Sequence, residues 1–341
     1  MKINRNEFLD ELKLLKMACD PKGSVVGSDC VAIKDDRLHT YSEDMVCVVN
    51  RPTNIDLCCV DVGRLFNLVR SMPEELEMVM ETDDELLLKA DNFGQISLLS
   101  NKSHKRPKIK KPVDWHTITT ESVVNGIEVA LTSCGTDVDM PSLRGIRVSS
   151  DHIDGTNGYS WSRAYLDLPH VVEPFSLSRS SANLVAALAP THVVIGDEWI
   201  HWKRDHIHIA TYKFASKFPK DLPVFQSDIK SGDISFVLPD LKKLVNLGSV
   251  LTNDHSNPWV SFRLEKNNLG VSWAGISGGY NVFYDVEGSG GCANFSVHYS
   301  QLKSVFCKSG AVCDVFPTLN CVRLSLGSAV FVCGIQTESS K

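Results

Sequence analysis

One order of secondary-structure signals runs three times along this chain, which points to tandem copies of a small unit and not to a single large core. In the first copy Phe8, Leu12, Leu15 and Cys19 recur at i, i+4, i+7 and i+11, the apolar stripe of a helix over residues 5–19. Strand-like runs follow at Cys30–Ile33, Met45–Val49 and Leu57–Val60. A second stripe, Leu65, Leu68, Val69 and Met72, stops at Pro73. Runs at Leu76–Glu81, Glu85–Lys89 and Gly94–Leu99 close the copy. The second copy opens on Val124, Ile127, Leu131 and Cys134 and passes through Leu143–Val148 to a strand and helix over Pro174–Leu188. It ends in runs at Thr191–Ile195, Trp199–Lys203 and His206–Tyr212. The third has helices at Pro239–Leu251 and His298–Lys308, strands between Trp259 and Val286, and closing runs at Val312–Phe316, Cys321–Leu326 and Ala329–Gly334. The landmarks keep step: Leu65, Leu184 and Leu302 lie 119 and 118 residues apart, and Phe8, Val124 and Leu241 lie 116 and 117 apart. Unrelated domains would not hold a near-constant period at two separate landmarks.

The connectors mark the boundaries. Residues 101–111 are a basic run interrupted by a proline, too polar to bury, and residues 217–233 play the same part after the second copy. The expected division is therefore 1–112, 113–226 and 227–341, three α+β domains of ordinary size. An apolar share of 43% with 22% charged residues is that of a globular protein. No apolar run reaches the ~18 residues of a membrane helix, and the N-terminus carries charges where a signal peptide needs an apolar stretch, so a cytoplasmic location and no membrane partner are expected. The eleven cysteines are odd in number, scattered and without a Cys-x-x-Cys, which predicts reduced, mostly buried thiols and no metal or other cofactor. A net charge of −6 argues against a surface that is basic overall, though a local basic lining fits the same sum because charge placement sets the field.

Several short motifs carry the next step. Leu143-Arg144-Gly145-Ile146 followed by Thr156-Asn157-Gly158-Tyr159, Phe218-Pro219 after Lys217, and Val62-Gly63-Arg64-Leu65-Phe66 before Met72-Pro73-Glu74 resemble patterns of the bacterial sliding clamps, the beta subunits of the replicative DNA polymerase. The likeness spans essentially the whole chain. It implies three copies of one fold, each with two helices on antiparallel sheets, closed by a second protomer into a ring around duplex DNA that slides, tethers the polymerase and is opened by a clamp loader. Enclosure needs only a sparse lining of cations. On the helices these are Lys13, Lys16, Arg64, Arg70, Arg179, Lys242, Lys243, Lys303 and Lys308, joined by Lys22 and the connector's Lys105, Arg106 and Lys108; each alone also reads as a solvated helix face. The resemblance further implies a partner-peptide cleft with Thr156, Gly158, Tyr159, Ser160 and Trp161 on one side and Val330, Phe331, Val332, Cys333, Gly334 and Ile335 on the other, the latter run reading equally as a core strand. It places Ile96, Leu98, Val250 and Leu251 at the homodimer interface. The chain departs from the pattern where the family's His-Arg-Leu is Tyr159-Ser160-Trp161 and its Met-Pro-Met-Arg-Leu ending is replaced from Cys333 on. Such divergence fits a phage- or mobile-element-encoded member.

Enzyme readings are weaker. Gly275-Ile276-Ser277-Gly278-Gly279 matches a nucleophile elbow, which would make Ser277 the nucleophile of a hydrolase, but an alternating strand pattern follows where a helix is required. Ser300 and Lys303 form a Ser-x-x-Lys without its companion motifs, and Gly288, Gly290 and Gly291 lack the Lys-Ser/Thr of a phosphate loop. His201, His206 and His208 could share a strand face but have no further ligand at a metal's spacing. A repeat-built adaptor that never touches DNA stays open, because Glu7, Asp10, Glu11, Glu121 and Glu128 share the helices with the lysines.

Overall fold

The structure is a computed structural model. It describes residues 2–20, 22–55, 57–82, 84–91, 93–100, 109–110, 112–135, 141–214, 218–220, 225, 232, 234–251, 259–275, 278–288, 291–306 and 308–337. Its elements repeat as the sequence does. The first pass runs β1 (Lys2–Asn4), α1 (Arg5–Ala18), β2 (Cys30–Lys34), β3 (Arg37–Tyr41), β4 (Met45–Asn50), β5 (Cys58–Asp61), α2 (Val62–Ser71), β6 (Glu75–Thr82), β7 (Glu85–Ala90) and β8 (Gly94–Leu99). The second runs β9 (His116–Thr117), α3 (Thr120–Ser133), β10 (Gly145–Val148), β11 (His152–Thr156), β12 (Ser160–Tyr165), β13 (Phe175–Ser178), α4 (Arg179–Leu188), β14 (His192–Ile195), β15 (Trp199–Arg204) and β16 (Ile207–Tyr212). The third runs β17 (Ile234–Val237), α5 (Lys242–Leu251), β18 (Trp259–Glu265), β19 (Asn268–Gly275), β20 (Gly278–Asp285), β21 (Cys292–His298), α6 (Tyr299–Gln301), β22 (Val312–Phe316), β23 (Cys321–Leu326) and β24 (Ala329–Gly334), with a short β25 (Gln336–Thr337) appended. Strand, helix, four strands, helix, three strands is thus written three times.

Spatially the chain forms two compact units, residues 1–124 with 170–215 and residues 125–169 with 216–341. In the first, β1-β6-β7-β8 make a four-stranded sheet and β5-β2-β3-β4-β16-β15-β14-β9 an eight-stranded one. Helix α1 starts because the Asn4 carbonyl side chain accepts from the Asn6 and Glu7 amides, and α2 because Asp61 accepts from the Arg64 amide at 2.6 Å. Their stripes, Phe8, Leu12 and Leu15 with Leu65 and Val69, are buried beside Ile33, Leu38 and Val49. Glu11 is buried with them, and its charge is matched by a two-pronged Arg51 contact at 2.8 and 2.9 Å and by His206 Nε2 at 2.8 Å.

In the second unit one sheet is ordered β10-β11-β12-β24-β23-β22-β17 and another β20-β19-β18-β21-β25. Between its apolar faces lie Phe236, Leu241, Leu244, Phe262, Val297, Leu302, Phe306 and Phe331. Helix α3 approaches β11 so closely that a Cβ on Gly155 would stand 1.8 Å from the Ala130 carbonyl oxygen, which only glycine avoids.

Three expectations shift. In α3 the fully buried counterpart of Phe8 is Val123, not the half-buried Val124, because both occupy the fourth helical position. The helix expected over His298–Lys308 is one α turn followed by a π turn, Leu302–Phe306. Strand β3 is an addition to the expected elements, because its Arg-Leu-His-Thr-Tyr pattern lacks the apolar run that marks its neighbours. Nine of the ten described cysteines are buried thiols, and burial pushes Cys19 and Cys59 up to about 11. Among the described residues no helix is long and apolar enough to cross a membrane.

Candidate functional site

Each compact unit contains a seam where the last strand of one repeat pairs with the fourth strand of the repeat before it: β16 with β4, and β24 with β12. The expected cleft residues lie on the second seam. Ser160 stands opposite Cys333, Trp161 opposite Val332, Ser162 opposite Phe331 and Arg163 opposite Val330. Side chains alternate along a strand, so this register divides the expected set between two faces. Trp161, Val332 and the half-buried Val330 share a small apolar cluster with Phe316, Cys321, Phe218 and Phe225. Phe331, Cys333 and Ile335 point the other way into the main core, so for these three the core-strand reading is the correct one.

Local chemistry shapes the turn before β12. Asn157 Oδ1 accepts from the amides of Tyr159 and Ser160 at 3.0 and 2.7 Å, and Thr156 Oγ1 donates to the Ser160 carbonyl at 2.8 Å. Gly158, at φ +86°, takes the turn position that a side chain would strain. The Tyr159 carbonyl then accepts from the Gly334 amide at 2.9 Å and from Gln301 Nε2 at 3.1 Å, which leaves its phenol ring 80% exposed at the rim.

A charged frame borders the cluster. Arg163 grips the wholly buried Asp154 with Nε and Nη2 at 2.7 and 3.0 Å, and Arg147 Nη2 adds a third contact at 2.7 Å. Burial alone pushes the Asp154 carboxyl up, but hydrogen bonds from His152 and Arg163 and their charges outweigh it and hold it down at about 2. Arg323 pairs with Asp314 at 2.8 Å on the other flank. The guanidinium groups also cover rings: Arg163 lies 4.3 Å from the Phe225 centroid, Arg147 5.2 Å from Phe218 and Arg323 5.2 Å from Phe316. Phe218 and Phe225 each stand 5.5 Å from the Trp161 ring, and Trp161 Nε1 is buried with no hydrogen-bond partner among the described residues. An apolar floor, aromatic rings packed over it, a buried donor and a charged border are the chemistry that holds an extended peptide. Sequence reasoning named Trp161 and Val332 but missed Phe225, Phe316, Arg163 and Asp154. Strand alternation carried to the cross-strand partner links Arg163, Asp154 and Phe316 and needs the register, whereas Phe225 lies on no strand.

The other expected residues are distributed as follows. Lys13, Lys16, Arg64, Arg70, Lys242, Lys243 and Lys303 are exposed on their helices, while Arg179 and Lys308 are half-buried. Lys22 is exposed in the loop after α1. Lys16 Nζ lies 4.9 Å over the Phe66 ring and Lys308 Nζ 6.0 Å over Phe331. Lys105, Arg106 and Lys108 lie outside the described residues, as do Ser277 and the side chains of Val250 and Leu251. Gly278, which follows Ser277, begins strand β20 and not the helix an elbow needs. Ile96 and Leu98 are half-buried on the edge strand β8, opposite Leu88 and Leu86. The histidines separate: His201 Nδ1 and His208 Nε2 are 3.0 Å apart, whereas His206 turns to Glu11. Among the described residues no group of three or more such side chains could hold a metal ion.

No protein-family model and no curated protein matches the chain. Solved structures do. The DNA polymerase III beta subunit of Thermotoga maritima superposes with a TM-score of 0.85 at 12% identity, covering 98% of each chain. The DNA polymerase III subunit beta of Pseudomonas aeruginosa gives 0.80 at 16% identity over 99% of each. The DnaN sliding clamp of Bartonella birtlesii, in a structure bound to griselimycin, gives 0.84 at 13% identity over 98% of this chain and 99% of that one. From its first repeat to its last, the chain has the fold of the DNA polymerase III beta-subunit sliding clamps.

Proposed function

We propose that this chain is a DNA sliding clamp, a non-catalytic, cytoplasmic protein whose two copies close head to tail into a ring of six domains, bounded at residues 112 and 226 in each. The ring encircles duplex DNA, is opened by a clamp loader, and presents the groove around Trp161 to the replicative polymerase and other partners. Griselimycin, the ligand in the Bartonella structure, is a candidate for the same groove.

The observation that carries the reading is how the repeats are stitched. At both seams the first residue after a two-residue hairpin meets the fifth residue of the other repeat's last strand: Met45 meets Thr211, and Ser160 meets Cys333. The third repeat offers β20 for the same union, and the first offers β8, yet each ends its sheet with no further neighbour among the described residues. A second copy supplies what is missing. The same count sets Gly278 opposite Leu98, Tyr280 opposite Ile96 and Asn281 opposite Gln95. Tyr280 packs toward the core, as do Leu86 and Leu88 beneath Leu98 and Ile96, so this register keeps apolar faces together and a one-residue slip would invert them. Helix starts follow the rule too. Ser181, third residue of α4, reaches the turn residue Asp44 at 3.2 Å, and Gln301, third of α6, reaches Tyr159. Arg64, third of α2, is the counterpart left to grip the second copy beside Gly278.

Disulfide trapping tests the register. Gln95→Cys with Asn281→Cys in one chain should give a covalent dimer that neither single variant gives, and the trapped ring should stay on circular DNA and leave linear DNA. A monomer in sedimentation at micromolar concentration, or equal trapping with Val282→Cys in place of Asn281→Cys, would refute it.

A further inference from the structure

Building on the groove reading above, we infer that Phe225 occupies the seat that a partner's aromatic side chain takes, so that the chain is its own competitor at this site. Phe225 belongs to the connector between the second and third repeats and to no strand of the sheet it covers. Its ring already makes the contacts that an aromatic anchor would make there. It tilts against Trp161 at 5.5 Å, lies 4.3 Å from the Arg163 guanidinium, and rests on the cluster of Val332, Phe316 and Cys321. The main core lies on the other face of the sheet and is complete without it. Vacating the seat would therefore uncover Trp161 without taking a side chain out of the main core.

A second observation sets the direction of the competition. Trp161 is 3% exposed, and its Nε1 has no acceptor among the described residues. A phenylalanine ring satisfies the apolar floor and cannot accept that hydrogen bond. A peptide that seats its own ring there can also set a backbone carbonyl against Nε1, a contact that the connector does not make among the described residues. Recognition is then an exchange of one aromatic ring for another, and the measured affinity is the intrinsic one reduced by the fraction of molecules whose seat is free.

The full-length protein and its Phe225→Ala and Phe225→Leu variants are titrated by calorimetry with two probes: griselimycin, and a synthetic peptide of residues 217–228, which carries Phe225 in trans. Circular dichroism and melting check that each variant is folded, and Phe225→Leu, which keeps apolar bulk, covers the case in which alanine loosens the unit. Phe225→Ala should bind both probes about tenfold tighter than the native protein and Phe225→Leu a few-fold tighter, as expected when an internal competitor is weakened. Trp161→Phe, which removes the donor, should abolish most of that gain. Equal or weaker binding by folded Phe225→Ala would make Phe225 a wall of the groove and overturn the inference while leaving the groove reading in place. Failure of griselimycin with every variant, alongside tighter binding of the trans peptide, would remove griselimycin as a candidate for the groove and keep the occupied seat.

Discussion

Asp154→Ala asks whether the charged frame holds the groove together. Asp154 has no exposed side-chain surface and takes three guanidinium contacts of 2.7–3.0 Å from Arg147 and Arg163. Removing one member of a buried pair costs about 3–5 kcal/mol, because the other charge stays buried without compensation. The two arginines differ in escape. The Arg147 side chain is 19% exposed and can turn to water, whereas that of Arg163 is 5% exposed and cannot. A cost near the lower bound, about 3 kcal/mol, follows, which lowers the melting temperature of a unit this size by roughly 6–12 °C. The acid limb gives an independent reading. The carboxyl sits at about 2 in the folded chain against 3.8 for the free group. A depressed folded value means stability fully present above about pH 4 and lost as pH falls toward 2, a contribution of about 2 kcal/mol at 1.36 kcal/mol per unit. Asp154→Asn should therefore melt lower at pH 7 and lose less than the native protein between pH 4 and pH 2. Melting of Asp154→Ala within about 2 °C of native, or an unchanged acid limb in Asp154→Asn, would refute the frame's role.

Leu65→Ala empties a fully buried site under α1 and should cost about 2–5 kcal/mol by chemical denaturation. Gly155→Ala places a methyl group 1.8 Å from the Ala130 carbonyl oxygen, so α3 must move off β11; the variant should express poorly or melt far below native, and native-like melting would show that the helix can shift. Lys13, Lys16 and Arg70, exposed on α1 and α2, exchanged together for glutamate should shorten retention on circular DNA and flatten its salt dependence by about 0.9 in log–log slope per lost phosphate contact, with the melting temperature unchanged.

Legibility differed with the range of the physics. The helix stripes Phe8–Leu12–Leu15 and Leu65–Val69 were plain because helical periodicity is set by residues three and four apart. Repeat spacing was plain because three copies of one local pattern reinforce each other. Strand β3 was obscure because two of its five residues are polar yet buried: Thr40, which donates to the Leu15 carbonyl at 2.9 Å, and His39, which is 7% exposed. At the groove the motif Thr156-Asn157-Gly158 announced a turn through its own chemistry, since Asn157 bonds the two residues it needs. Phe225 announced nothing, since its partners Trp161 and Arg163 lie more than sixty residues away along the chain.

The amino-acid sequence by itself determined the helix stripes, most of the apolar strands and the threefold count, all consequences of short-range periodicity. Tertiary structure decided which face each strand residue serves. Val332 and Phe331 are neighbours of similar character, yet one joins the Trp161 cluster and the other the main core, because the pairing of β24 with β12 fixes a register that no window of sequence contains. It also decided that Asp154 is a buried ion held by two arginines, and that β8 of the first repeat and β20 of the third each end their sheets among the described residues.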